Sequence, residues 1–223
     1  MAEIPPEFCG VWRRESLSIQ GSEPKEDSRV VWLQTSRGGF ADVRVPIDPE
    51  LGGEMAFAGH AVWSPPRMTF HRGLDIAAPG APDVGTLTLD GDRMCERGVF
   101  VLGPRELPYE EIWVRQDPGP GGIWIVEGIV EQVSRGVDPL PARLIRVGVH
   151  AILVADRRER QDRFDAGHLR SGPDGRWAPE WAIRGSAFPT LPAEWPTTVG
   201  ETLELGLADG WGVTTWTVRS FDV

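Results

Sequence analysis

Lysine is nearly missing from this chain: Lys25 is the only one, and every other basic residue is arginine. The bias accompanies abundant Ala, Gly and Pro, as GC-rich coding does, and carries no functional weight alone. Cysteine occurs only at Cys9 and Cys95, too few and too far apart for a CxxC metal knuckle or a disulfide framework, so both are expected to be free thiols. No apolar run approaches the roughly 18 residues of a membrane span, and no membrane partner is expected. The opening MAEIPPEFCGVW has no basic segment followed by an apolar one, unlike a signal peptide, which leads to the expectation of a cytoplasmic protein. A net charge of -10 argues against nucleic acid, because phosphate binding relies on clustered Lys and Arg.

Catalytic signatures are equally scarce. GxSxG, a P-loop and a Rossmann glycine motif in its proper context are absent, which removes support for serine hydrolases, nucleotide triphosphatases and dinucleotide enzymes. The glycines of DPGPGG (117–122) have no helix after them to receive a phosphate. Neither HxH nor HExxH occurs, so no metal and no cofactor is implied; haem held by one imidazole is the weakest reading left open.

What the chain does have is tryptophan, ten against a single tyrosine, and a succession of β-type segments. Strand patterns fall at 9–20, 29–35, 39–46, 54–63, 67–76, 84–90, 93–102 and 109–116, separated by short turns such as Asp90-Gly91-Asp92, a strong hairpin signal. Eight strands in order with short turns predict an antiparallel meander closing into a barrel. The DPGPGG break divides the chain into residues 1–117 and 118–223. Beyond it, segments at 123–133, 142–156, 176–185, 201–207 and 211–221 are again β, and the charged stretch 156–167 is either a helix or a solvated hairpin loop. The matching openings GVWRRESLSIQ and GIWIVEGIVEQ hint weakly at internal duplication.

Period-two alternation sorts these side chains into faces. Trp12 and Arg14 share one, Trp32 and Gln34 the next, Asp42 and Arg44 a third, and Tyr109, Glu111, Trp113 and Arg115 form a polar-aromatic stripe. Two readings stay open. Either Leu33, Val43, Ile112 and Val114 are the core and the charged set faces water, or the charged set lines a cavity, which the mixing of Trp with charge favours. On the second reading, Trp12, Arg14, Trp32, Gln34, Asp42, Arg44, Tyr109 and Trp113 are the candidate ligand-binding residues. His60 and His71, with Glu96 and Glu111, are the candidate acid–base groups, since imidazole titrates near neutral pH. Lone histidines on separate strands are more often structural, His150 reads as a core histidine, and His168 as a loop residue.

The segments GVWRRESL, VVWLQTSRGGFADVRVP, GEMAFAGH, PDVGTLTLDGDRMCERG and YEEIWV resemble the first domain of the Hri family, two-domain lipocalin-like proteins that include a casein-kinase-interacting protein of fungi and bacterial relatives. The resemblance covers residues 8–116 well and the second half more loosely, through RVGVHAILVADR and RWAPEWAI. It implies an all-β fold of tandem antiparallel lipocalin-like (calycin) β-barrels and leaves a protein partner open; it brings no catalytic residues. The second half is short of strands for a full barrel. The leading expectation is a protein binding a small, mainly apolar molecule with a polar group in the N-terminal barrel. The alternatives are a cofactor-independent enzyme (isomerase, lyase, cyclase or hydratase) using His/Glu chemistry in the same cavity, and a protein-interaction module.

Overall fold

The computed structural model describes residues 3–50, 52–77, 80–119, 125–131, 142–158, 163–195, 199–206 and 213–222. Its first half is an antiparallel meander of β1 (Gly10–Ile19), β2 (Ser28–Gln34), β3 (Gly39–Pro46), β4 (Met55–Ser64), β5 (Arg67–Asp75), β6 (Asp83–Asp90), β7 (Arg93–Leu102) and β8 (Arg105–Arg115). Pairing of β1 with β8, Trp12 opposite Arg115 and Ile19 opposite Tyr109, closes the barrel. The β6–β7 turn needs only Gly91 and Asp92, and Gly91 takes a left-handed φ of 60° that a side chain would resist.

The second half adds β9 (Ile125–Glu131), β10 (Ala142–Val147), β11 (His150–Asp156), β12 (Phe164–Ser171), β13 (Trp177–Ala182), β14 (Thr202–Gly206) and β15 (Val213–Asp222). They form a seven-stranded sheet in the order β13-β12-β11-β10-β9-β15-β14 that does not close on itself among the described residues. Here the sequence expectations need correcting in detail. Residues 142–156 are two strands, not one, because Gly148 turns the chain at φ 59° and a Cβ there would lie 2.0 Å from the Pro118 carbonyl oxygen. Of the stretch 156–167, Asp156 ends β11, Arg158 is helical and Phe164 onward is β12; residues 159–162 lie outside the described residues. The second half of DPGPGG, residues 120–122, also lies outside them. A 3-10 turn, Pro6–Phe8, precedes the barrel, and among the described residues no helix is long and apolar enough to cross a membrane.

His168 is likewise not a loop residue. It sits in β12 opposite Ile152 and Trp181 and is buried, with Nε2 3.0 Å from His150 Nδ1 and Nδ1 3.1 Å from Glu180. His150 is the satisfied core histidine expected, its other ring nitrogen 3.2 Å from the Asp117 carbonyl. Burial, and then the neighbouring His168, push its pKa down to about 4, so the ring stays neutral.

The two sheets share one core. Val11, Val31, Leu33, Ala41, Val43, Ala56, Ala58 and Leu74 project outward from the barrel and meet Ile145, Val147, Ile152, Val154, Phe164, Ala166 and Ile183 of the second sheet. Strands β2 and β3 are therefore buried on both faces over Val30–Gln34 and Gly39–Val43. Polar contacts fasten the rim: the Arg158 guanidinium donates to the carbonyls of Asp75 and Ile76 at 2.9 and 3.0 Å, and the Arg184 amide donates to Glu54 at 2.7 Å. Ile152 is fully buried at this seam. Ile152→Ala is expected to lower the unfolding free energy by about 2–5 kcal/mol, measured by urea denaturation.

Candidate functional site

With the outer wall of β1–β5 packed on aliphatic residues, the opposite parity points inward. That parity carries Trp12 and Arg14 on β1, Trp32 and Gln34 on β2, Phe40, Asp42 and Arg44 on β3, Glu96 on β7, and Tyr109, Glu111 and Trp113 on β8. All are buried except Arg44, which is nearly so. The charged set does not face water. Leu33 and Val43 are core as well, but of the seam between sheets, while Ile112 and Val114 are only half-buried on the barrel's outside.

One end of the barrel is plugged by the N-terminal segment. Ile4, Phe8 and Cys9 pack against Trp12 and Trp63, and the Trp12 indole N–H donates to the Phe8 carbonyl at 3.0 Å. Arg115 lies over the Trp12 ring and donates to the carbonyls of Cys9 and Glu7. Trp12 therefore builds the closed end. Gln34 is also committed here, its amide donating to the carbonyls of Thr35 and Gly39 at 2.9 and 3.2 Å.

Above this plug runs a buried ion network. Arg44 donates to both oxygens of Asp42 at 2.9 and 3.1 Å and to Glu111 at 3.0 Å. Arg14 donates to the same Glu111 oxygen at 2.7 Å and grips Glu26 with two bonds at 2.8 and 2.9 Å. Burial opposes the charge on Arg44, but Asp42 and Glu111 outweigh it and hold the guanidinium protonated above its ordinary range. Arg14 and Gln34 are thus structural partners of the site and do not line its cavity, unlike the expectation from strand parity alone.

The cavity itself has a volume of about 30 Å³, above the roughly 10–15 Å³ that one water requires. Trp32, Asp42, Arg44, Tyr109 and Trp113 line it, as do Glu96 and Glu111. Six further lining residues escaped the sequence reading: Phe40, Phe57, Phe70, Arg72, Asp83 and Phe100. Phe40 has a legible signal, the parity of Asp42, and Arg72 has another, the parity of Met68 and Phe70; the register shift follows Arg72 and turns Leu74 to the seam. Arg72 lies 3.8 Å over the Phe57 ring and pairs with Asp75 at 3.1 Å and with Asp83. The lining is least buried at Arg72, Asp83 and Phe100, which marks the mouth.

Glu96 is the cavity's most perturbed acid. It accepts from the Tyr109 hydroxyl at 2.9 Å and the Trp113 indole at 3.1 Å. Burial, and then the Glu111 charge, push its pKa up to about 8; burial and Glu96 raise that of Tyr109 as well. Two glycines make room for this arrangement. A Cβ on Gly85 would lie 2.5 Å from a Glu96 oxygen, and one on Gly98, opposite Tyr109 in the ladder, 2.5 Å from the Tyr109 hydroxyl.

The histidines stand apart. His60 and His71 are register partners on β4 and β5, but neither lines the cavity; His60 shares the parity of the seam residues Ala56 and Ala58, and His71 is exposed. The structure brings Glu96 and Glu111 together and leaves both imidazoles outside, because successive side chains of a strand point to opposite faces. Among the described residues no group of three His, Cys, Asp or Glu side chains could hold a metal ion.

Comparison with known proteins places this geometry. A family model described as Protein HRI1 matches residues 10–219. The chain belongs to the HRI1 family. The crystal structure of the uncharacterized protein YLR301w from Saccharomyces cerevisiae is similar over 96% of this chain and 98% of that one, with a TM-score of 0.68 at 14% identity. Likeness at that identity speaks for the fold alone. No curated protein matches the chain.

Two outcomes follow from this network. Arg44→Met leaves Asp42 buried without its two hydrogen bonds, and chemical denaturation is expected to show a loss of about 3–5 kcal/mol; removing the exposed Arg97–Glu110 pair is expected to cost less than about 1 kcal/mol. Glu96 keeps its proton in the folded state up to about pH 8 but loses it near 4.5 when unfolded. Its contribution is therefore complete below pH 4.5 and lost as pH rises towards 8. The melting temperature of wild type is expected to fall relative to Glu96→Gln between pH 5 and 8, measured by calorimetry.

Proposed function

We propose that the N-terminal barrel is a lipocalin-like, calycin-type binding module that takes a small, mainly apolar molecule carrying one polar group. One observation carries the reading: a cavity walled by Trp32, Phe70 and Trp113, open at one end, with Glu96, Arg44 and Asp42 on the same surface. Two edge-to-face contacts, Trp32 to Trp113 and Trp32 to Phe70, each with centroids 5.4 Å apart, hold the aromatic wall rigid. A few fixed polar groups on an apolar wall orient a ligand rather than merely retain it.

An interior of this kind is costly for a barrel that only needs to be stable. Replacing a buried ion pair by well-packed apolar residues is often neutral or stabilising, so the Arg14–Glu111–Arg44–Asp42 chain supports a role beyond filling space. The volume suits the head of a small ligand, with the remainder reaching the mouth between Arg72 and Phe100. Acid–base catalysis in the same cavity would have to run on Glu96 and Glu111 without His60 or His71.

The test is native mass spectrometry of the chain purified from its own host, paired with indole N–H spectra of Trp32 and Trp113 during titration with toluene. A co-purifying mass released on denaturation, or a saturable shift confined to those two tryptophans, is expected. A bare-chain mass together with unmoved indole signals would overturn the reading.

A further inference from the structure

The polar groups of the cavity are unevenly satisfied, and the imbalance has a sign. Among the buried side-chain atoms of its lining, those without a hydrogen-bond partner are two donors, the Trp32 indole Nε1–H and the Arg72 Nε–H. Trp32 is 2% exposed, so bulk water does not serve its N–H. Apart from the carboxyl proton of Glu96, itself a further donor at neutral pH, the other donors of the lining have acceptors: Arg44 is spent on Asp42 and Glu111, the outer nitrogens of Arg72 on Asp75 and Asp83, and the Tyr109 hydroxyl and Trp113 indole on Glu96. A buried donor left unmade costs stability, which a ligand atom can restore only by accepting.

Charge narrows the class further. The lining carries three carboxylates, Asp42, Asp83 and Glu111, beside a Glu96 that keeps its proton at neutral pH, against two guanidiniums, Arg44 and Arg72, both already paired. An anionic ligand would add to this excess of negative charge with no unpaired cation to meet it. A cationic amine would bring more donors to a surface whose unmet groups are donors.

From these two constraints we infer that the polar group of the ligand is an uncharged hydrogen-bond acceptor, of carbonyl or ether type, received by Trp32 Nε1–H and Arg72 Nε–H while its apolar body lies on the aromatic wall. The inference rests on the binding role proposed above and specifies its chemistry.

Four probes of one size separate the possibilities: acetophenone, ethylbenzene, benzoate and benzylamine, each titrated into the full chain and read by calorimetry and by the Trp32 indole N–H resonance. Acetophenone is expected to bind about tenfold more tightly than ethylbenzene, the gain of one neutral and one charge-assisted hydrogen bond being offset in part by desolvation and ordering, and alone to move the Trp32 N–H downfield. Trp32→Phe keeps a ring but removes the donor; it is expected to weaken acetophenone about fivefold and leave ethylbenzene unchanged. Arg72→Lys, which keeps the charge towards Asp75 and Asp83, is expected to act in the same direction. Equal binding of ethylbenzene, tighter binding of benzoate or benzylamine, or an acetophenone affinity indifferent to both variants would overturn the inference while leaving a binding cavity in place. Silence from all four probes would remove the cavity reading and this inference with it.

Discussion

The packing of the barrel's outer wall against the second sheet is the constraint on which the rest depends. A free-standing eight-stranded barrel must bury its apolar side chains inside, because its outside meets water. Here Val31, Leu33, Ala41 and Val43 are buried outside instead, against Ile145, Ile152 and Val154. The inward face of the same strands is thereby released from supplying the whole hydrophobic core, and it can carry Arg14, Asp42, Arg44, Glu96 and Glu111.

The polar interior then needs its own support. Charges seldom survive burial unless paired and hydrogen-bonded, and each buried group here meets a partner on another strand or next to it. Glu111 on β8 joins Arg14 on β1 to Arg44 on β3, which ties strands from both sides of the barrel's closure. Glu96 is held by Tyr109 and Trp113, and Gly85 leaves room for its carboxyl group as Gly98 does for the Tyr109 ring. The absence of two methyl groups is as much a part of this site as the carboxylate.

The proposed binding role rests on what the network leaves over. A fully satisfied interior would be a rigid filling, whereas this one closes on its own groups almost everywhere and leaves donors at Trp32 and Arg72 on the surface of a cavity. The position of that cavity is also structural in origin. Ile4 and Phe8 occupy the opposite end, where Trp12 and Arg115 secure them, so access is from the Arg72–Phe100 end.

Much of this was legible in the residues themselves, and the boundary of legibility is physical. Alternation is a local property of a strand, so Trp32 with Gln34, and Asp42 with Arg44, could be grouped from sequence, and turn chemistry such as Asp90-Gly91-Asp92 located the strands of the first half. The hairpin at Gly148 was hidden inside an apolar run, and β12 inside a charged one, because a strand buried on both faces loses the alternation that announces it. His60 and His71 illustrate the limit from the other side: their types suggested chemistry, while their strand parity and the bulge at Ala58 decided where they stand. By itself the sequence determined an all-β chain, an eight-stranded first half and which side chains share a face. Which face is inside was decided only by tertiary structure, since the apolar surface that covers β2 and β3 comes from strands about a hundred residues further along, and no local pattern carries that information.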